Sequence, residues 1–205
     1  MTSMLLRDQT VALALGAEDP EEWFITTGVD WQQYEGLLAT LGDSARYRVT
    51  YLEGLLAIMS PSRQHELQKK NISRLLEAYF AETRTRFWGL GSTTFRQQAQ
   101  RGGIEPDECY CLGEEKALPD LAIEIVVTSG GIDKLEVYRR LGVQEVWFWR
   151  NQQFEVYHLH GARYDLRRRS VLLPDLDLVM LAEYAVQSDP LAALLAYQER
   201  LRQDV

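Results

Sequence analysis

Cysteine is scarce in this chain, with two in 205 residues, Cys109 and Cys111. They stand two apart on an expected strand, so their side chains share a face and lie too far apart for easy bridging. That excludes a disulfide framework and predicts reduced thiols in or near the core of a cytoplasmic protein. A metal role for the pair is the alternative. Long apolar runs are also missing. None reaches the roughly 18 residues needed to cross a bilayer, so no membrane partner is expected. The N-terminus lacks the basic-then-apolar pattern of a signal peptide. No internal repeat, low-complexity stretch or linker breaks the sequence.

Positive charge is in deficit, and the net charge is −8. This excludes a protein that binds nucleic acid over its whole surface. It leaves room for a local basic groove, because fields act over about a Debye length. Arg84, Arg86, Arg96, Arg101, Arg139, Arg140 and the run Arg167 to Arg169 could supply one, or could simply be solvated surface.

What is present is a globular composition, 46% hydrophobic and 25% charged. The length suits one domain over 1–205 with a proper core. Residues 1–45 read as a helical lead-in, with Asp30 capping a helix that carries Trp31, Tyr34, Leu37, Leu38 and Leu41. Residues 46–59 read as a hairpin turning at Glu53-Gly54. A helix runs from Ser60-Pro61-Ser62 to about Thr83, with Ile72, Leu75, Leu76, Tyr79 and Phe80 as its apolar stripe. Strands follow at about 93–98, 104–112 and 120–128, then a helix at 132–141 and a strand at 144–149. A second hairpin turns at His160-Gly161, and a last helix starts at Asp189-Pro190 within a C-terminal segment 186–205. This order implies an α/β fold, a mixed sheet with helices on its faces.

The segment 105–149 carries the chemistry. Asp107 and Glu124 sit inside apolar strands, where an unpaired carboxylate costs several kcal/mol or loses its charge. A divalent metal ion is the simplest partner for two such groups. Asp120 shares a face with Glu124 but is four residues away, roughly 13 Å along the strand. Asp107 lies on the preceding strand and can sit beside Glu124 across the sheet. Lys134 falls on the inward stripe of the following helix with Val137, Tyr138 and Leu141. The helix dipole disfavours a cation in the first turn, so Lys134 either meets a carboxylate or phosphate or snorkels to solvent.

The segments YLEGLLAIMSPSRQHE, GSTTFR, GIEPDECYC and PDLAIEIVVTSGGIDKLEVYRRLGVQEVWFW, in that order over residues 45–185, resemble the Uma family of putative restriction endonucleases. That family is expanded in cyanobacteria and is placed in the PD-(D/E)XK nuclease superfamily. The resemblance implies a restriction endonuclease-like mixed-sheet core over 46–185, flanked by helices. It implies an Mg²⁺- or Mn²⁺-dependent endonuclease acting on DNA in the cytoplasm. Asp107 and Glu124 match the two acidic motif residues, and with the carbonyl of Ile125 they would hold the metal. The motif lysine position holds Val126, and Lys134 is the migrated replacement. His65 matches the histidine of the SPxxxH segment, with a satisfied core histidine as the alternative. The position of a family glutamate before the hairpin glycine holds Thr50. Ser92, Thr93, Thr94 and Arg96 would contact phosphate, or would form a tight turn. Cutting both strands needs two sites, so a homodimer is expected. The competing readings are a catalytically degenerate nucleic-acid- or protein-binding module on the same fold, and a hydrolase of a small phosphate.

Overall fold

The computed structural model describes residues 21–42, 44, 46–128 and 131–203. The expected lead-in over 1–20 lies outside them. In place of further helix, Glu22–Thr26 forms a strand, β1. The helix α1 (Trp31–Leu41) follows, with a capping box in which Asp30 and Gln33 satisfy each other's backbone N–H groups. The hairpin β2 (Arg48–Leu52) and β3 (Leu55–Ser60) comes next. Its turn has positive φ at Glu53 and Gly54, 50° and 93°, the geometry that matches strand twist in a two-residue hairpin.

The long helix α2 (Arg63–Glu82) is capped by Ser62. Three short strands follow, β4 (Phe87–Gly89), β5 (Phe95–Gln97) and β6 (Gly102–Ile104). Then come β7 (Glu108–Leu112), β8 (Leu121–Ile125), α3 (Lys134–Leu141) and β9 (Glu145–Arg150). The chain closes with the hairpin β10 (Gln153–His160) and β11 (Arg163–Arg167), then α4 (Leu178–Ala185) and α5 (Pro190–Gln203). The helix α4 is a second element that periodicity did not separate from its surroundings.

These strands make two sheets, in the orders β1-β3-β2-β6-β5 and β11-β10-β9-β8-β7-β4. The second is mixed, because β8 and β9 run parallel with α3 crossing between them and the other pairs are antiparallel. It is buried on both faces, as a sheet with a parallel crossover should be. Leu121, Ile123, Ile125, Trp147 and Trp149 face α2, α4 and α5. Ala122, Val146 and Phe148 face α3. Burying one such large side chain stabilises the fold by about 1.5–3 kcal/mol.

The expected continuous strand over 104–112 is in fact two strands in two sheets. Ile104 pairs with Thr50 and Phe95 in the first sheet, and Glu108 pairs with Ile123 in the second. Pro106 stands between them. It has no N–H to give to a ladder, so the pairing stops there and the chain passes from one sheet to the other. Asp107 is carried at that crossing.

The first sheet is sealed by α1. Tyr34 is fully buried and stacks on Tyr51 at 4.7 Å. Its hydroxyl lies 2.2 Å from where a Cβ on Gly103 would stand, so β6 needs glycine there for the two layers to close.

Candidate functional site

The register of β7 against β8 pairs Glu108 with Ile123. One step further places Asp107 opposite Glu124, on the face that α3 covers. Asp107 does not continue the ladder with its backbone. Its side chain caps it instead, with Oδ2 accepting the Ile125 N–H at 2.8 Å. Both carboxylates are withdrawn from solvent, Asp107 1% and Glu124 0% exposed.

Helix α3 delivers two donors to Glu124. Asp133 caps the helix and Lys134 and Tyr138 fall on one face, four residues apart. Lys134 Nζ reaches Glu124 Oε2 at 2.6 Å. The Tyr138 hydroxyl donates a short hydrogen bond to Glu124 Oε1. A cation in the first helical turn costs about 0.3–1 kcal/mol against the dipole. The buried carboxylate offsets that cost, so Lys134 turns inward.

Helix α2 delivers His65, whose N–H bonds the capping Ser62 hydroxyl at 3.1 Å. The imidazole is fully buried between two carboxylates. Nδ1 meets Glu21 Oε1 at 2.6 Å, and Nε2 lies 2.9 Å from Asp107 Oδ1. The second contact has the length of an ion pair but leaves both atoms without a completed hydrogen bond. Glu21 also accepts from the Thr128 N–H at 3.0 Å and from the Thr128 hydroxyl. Arg48 Nε stands 3.9 Å from Asp107 Oδ1.

Charge in this cluster follows from burial and neighbours. Burial works against a protonated His65, but Asp107 and Glu21 outweigh it and push the imidazole up to about 9. Burial alone would raise Asp107. The His65 contact, the charges of His65 and Lys134 and the Ile125 N–H hold it below the ordinary carboxylate range instead. Glu124 moves the other way. Burial is the main cause and the like charge of Asp107 adds to it, while Lys134 and Tyr138 offset only part. Burial opposes the charge on Lys134, yet Glu124 and Asp107 raise its pKa. Two carboxylates pushed apart in this way, beside a lysine, form a typical functional-site signature.

A cavity of about 220 Å³ opens beside Lys134, lined among others by Trp23, Val126, Thr128, Arg150 and Tyr157. Val126, which the family resemblance puts where a motif lysine is expected, thus lies on its wall. Ser92, Thr93 and Thr94 line a different groove, and their hydroxyls bond the Asp107 carbonyl (3.2 Å), the Leu90 carbonyl (2.6 Å) and Glu105 (2.7 Å). Arg96 pairs with Glu35 at 2.9 Å. Asp120 is engaged away from the cluster by Lys116 at 2.7 Å and by the Leu112 N–H. Both cysteines are free and buried. Among the described residues, no group of three or more His, Cys, Asp or Glu is placed to hold a metal ion.

Four residues of the cluster were not named as site residues from the sequence: Glu21, Arg48, Thr128 and Tyr138, the last placed only on the inward stripe that it shares with Lys134. Only Tyr138 had a legible signal, its four-residue spacing from Lys134. Glu21 precedes a strand that had been read as helix, and nothing local ties it to His65.

Residues 31–188 match the family model Uma2, described as putative restriction endonuclease. Among solved structures, the chain is similar to an Anabaena variabilis protein described as a putative nuclease belonging to DUF820. The identity is 14%, over 73% of this chain and 90% of that one, with a TM-score of 0.39. No curated protein matches the chain.

Proposed function

This chain belongs to the Uma2 family of putative restriction endonucleases, and on that premise we propose that it is a metal-dependent endonuclease hydrolysing phosphodiester bonds in DNA. One observation carries the proposal. Asp107, just before β7, stands one register step beyond the Glu108–Ile123 pair and so opposite Glu124 of β8, and Lys134 Nζ is 2.6 Å from Glu124.

The donor set fits a hard divalent cation. Mg²⁺ takes oxygen ligands, is held by one or two carboxylates and keeps its remaining positions for water and substrate phosphate. A cage of three acidic side chains is therefore not required. Asp107 Oδ1 is buried with His65 Nε2 at 2.9 Å but no completed hydrogen bond, and a carboxylate oxygen so placed keeps a lone pair for an ion. Asp107, Glu124 and the Ile125 carbonyl would hold Mg²⁺ or Mn²⁺. When bound, the ion lowers the pKa of water and polarises the scissile phosphate.

The chain's own residues do the rest. Lys134 neutralises charge that grows on the phosphate, from a position fixed by Glu124. Tyr138 orients that carboxylate. His65 keeps Asp107 ionised and aimed, held in turn by Glu21. The cavity at Val126 and Lys134 brings solvent to the lysine. The protein works as one domain, in the cytoplasm, and as a homodimer when both strands are cut.

A second reading is favoured by one observation, the burial of Glu124 with each oxygen already bonded to Lys134 or Tyr138. A saturated ion pair of this kind suits a degenerate binding module. Calorimetric titration with Mn²⁺ of the wild type and of Glu124→Gln separates the two. The nuclease reading expects wild-type heat that Glu124→Gln loses. No heat from the wild type leaves the binding module.

A further inference from the structure

We propose that the DNA backbone lies in the groove between α2 and the 90–94 loop, with Lys70 as its leading phosphate contact and Arg48 and Lys69 behind it. The proposal rests on the nuclease reading and names the surface that reading lacks. The groove encloses about 570 Å³, and its lining includes Arg48, Lys69, Lys70, Glu66 and Glu105. It adjoins the carboxylate pair, because the Ser92 hydroxyl on its wall bonds the Asp107 carbonyl and Arg48 stands 3.9 Å from Asp107 Oδ1.

Charge favours a polyanion here, although the whole chain is net −8. Three cations meet two acids. Arg48 and Lys69 share one of these, Glu66, at 3.2 and 2.7 Å. The other, Glu105, is tied down by the Val49 N–H at 3.0 Å and by Thr94. Lys70 is exposed and makes no ion pair with any described residue. The hydroxyls of Ser92, Thr93 and Thr94 already give their hydrogens to protein acceptors and Lys69 is buried against Glu66, so the direct donor to phosphate is Lys70. Arg96 is paired with Glu35. The smaller cavity beside Lys134 has room for solvent and a phosphate oxygen but not for a strand.

The test is fluorescence anisotropy with a labelled 30-base-pair DNA duplex in EDTA across a salt series, with cutting of the same duplex read separately in Mn²⁺. Lys70→Ala should weaken binding about threefold and Lys70→Glu about tenfold. Each should flatten the log–log salt slope by about 0.9, the share of one phosphate contact. Arg163→Ala, at the tip of the β10–β11 turn, should change neither. Wild-type affinity and slope in both Lys70 variants, with DNA still bound and still cut, would overturn the groove and leave the nuclease reading standing. A wild type that neither binds nor cuts DNA would overturn both.

Discussion

Lys134 Nζ sits 2.6 Å from Glu124 Oε2, although Lys134 begins a helix and Glu124 lies in the middle of a sheet buried on both faces. The pair joins the α3 crossover to the strand it covers. Removing one partner of a buried pair costs far more than the pair itself contributes. Lys134→Ala should therefore destabilise the protein by about 3 kcal/mol, and pairing it with Glu124→Gln should recover part of that loss. Urea unfolding of both single variants and the double variant measures the coupling. Strictly additive losses would mean the two groups do not act as a pair.

His65 gives a pH dependence with a definite sign. Its folded-state pKa, about 9, lies above the ordinary 6.5. The stability it contributes is thus fully present below pH 6.5 and is lost as pH rises through 9. At 1.36 kcal/mol per pH unit this amounts to about 3 kcal/mol. Stability measured from pH 6.5 to 8.5, mostly below the range where unfolded cysteine and tyrosine ionise, should fall by about 2 kcal/mol more in the wild type than in His65→Gln. The fall left in the variant comes from Glu124, whose pKa is also raised. An equal fall in both would place the titration elsewhere.

Much of this arrangement was legible in the sequence. The hairpin at Glu53-Gly54, the helix capped by Ser62, the inward lysine and the opposition of Asp107 and Glu124 all follow from turn chemistry, capping and strand alternation. What escaped depends on long-range placement. Pro106 splits one expected strand between two sheets, and the effect shows only once each half has found its partners. Glu21 reaches His65 only because β1 joins the edge of β3, and no local periodicity encodes that pairing.

Gly103 tests the closure of the first sheet. A Cβ there would stand 2.2 Å from the Tyr34 hydroxyl. Gly103→Ala should cost about 1–3 kcal/mol through overpacking, and Tyr34→Leu in the same chain should relieve part of it. A thermal midpoint unchanged by Gly103→Ala would show that α1 is free to shift outward.

The position of the lysine can be moved experimentally. Val126 lies two residues after Glu124, just past the end of β8, and lines the cavity that holds Lys134. Val126→Lys should restore part of the cutting lost in Lys134→Met, because either site brings an ammonium to the same carboxylates. Failure of the double variant, if it is folded and binds DNA, would mean that the helix position itself is required.

The most direct test is plasmid cleavage in Mg²⁺ or Mn²⁺ by the wild type, Asp107→Asn and Glu124→Gln from identical preparations. The account predicts nicking or cutting by the wild type that chelator stops. Each single substitution should lower it at least a hundredfold, an order typical of losing a group that stabilises the transition state, while Asp107→Asn keeps DNA binding. Equal cleavage by all three proteins, or none by the wild type, would contradict it.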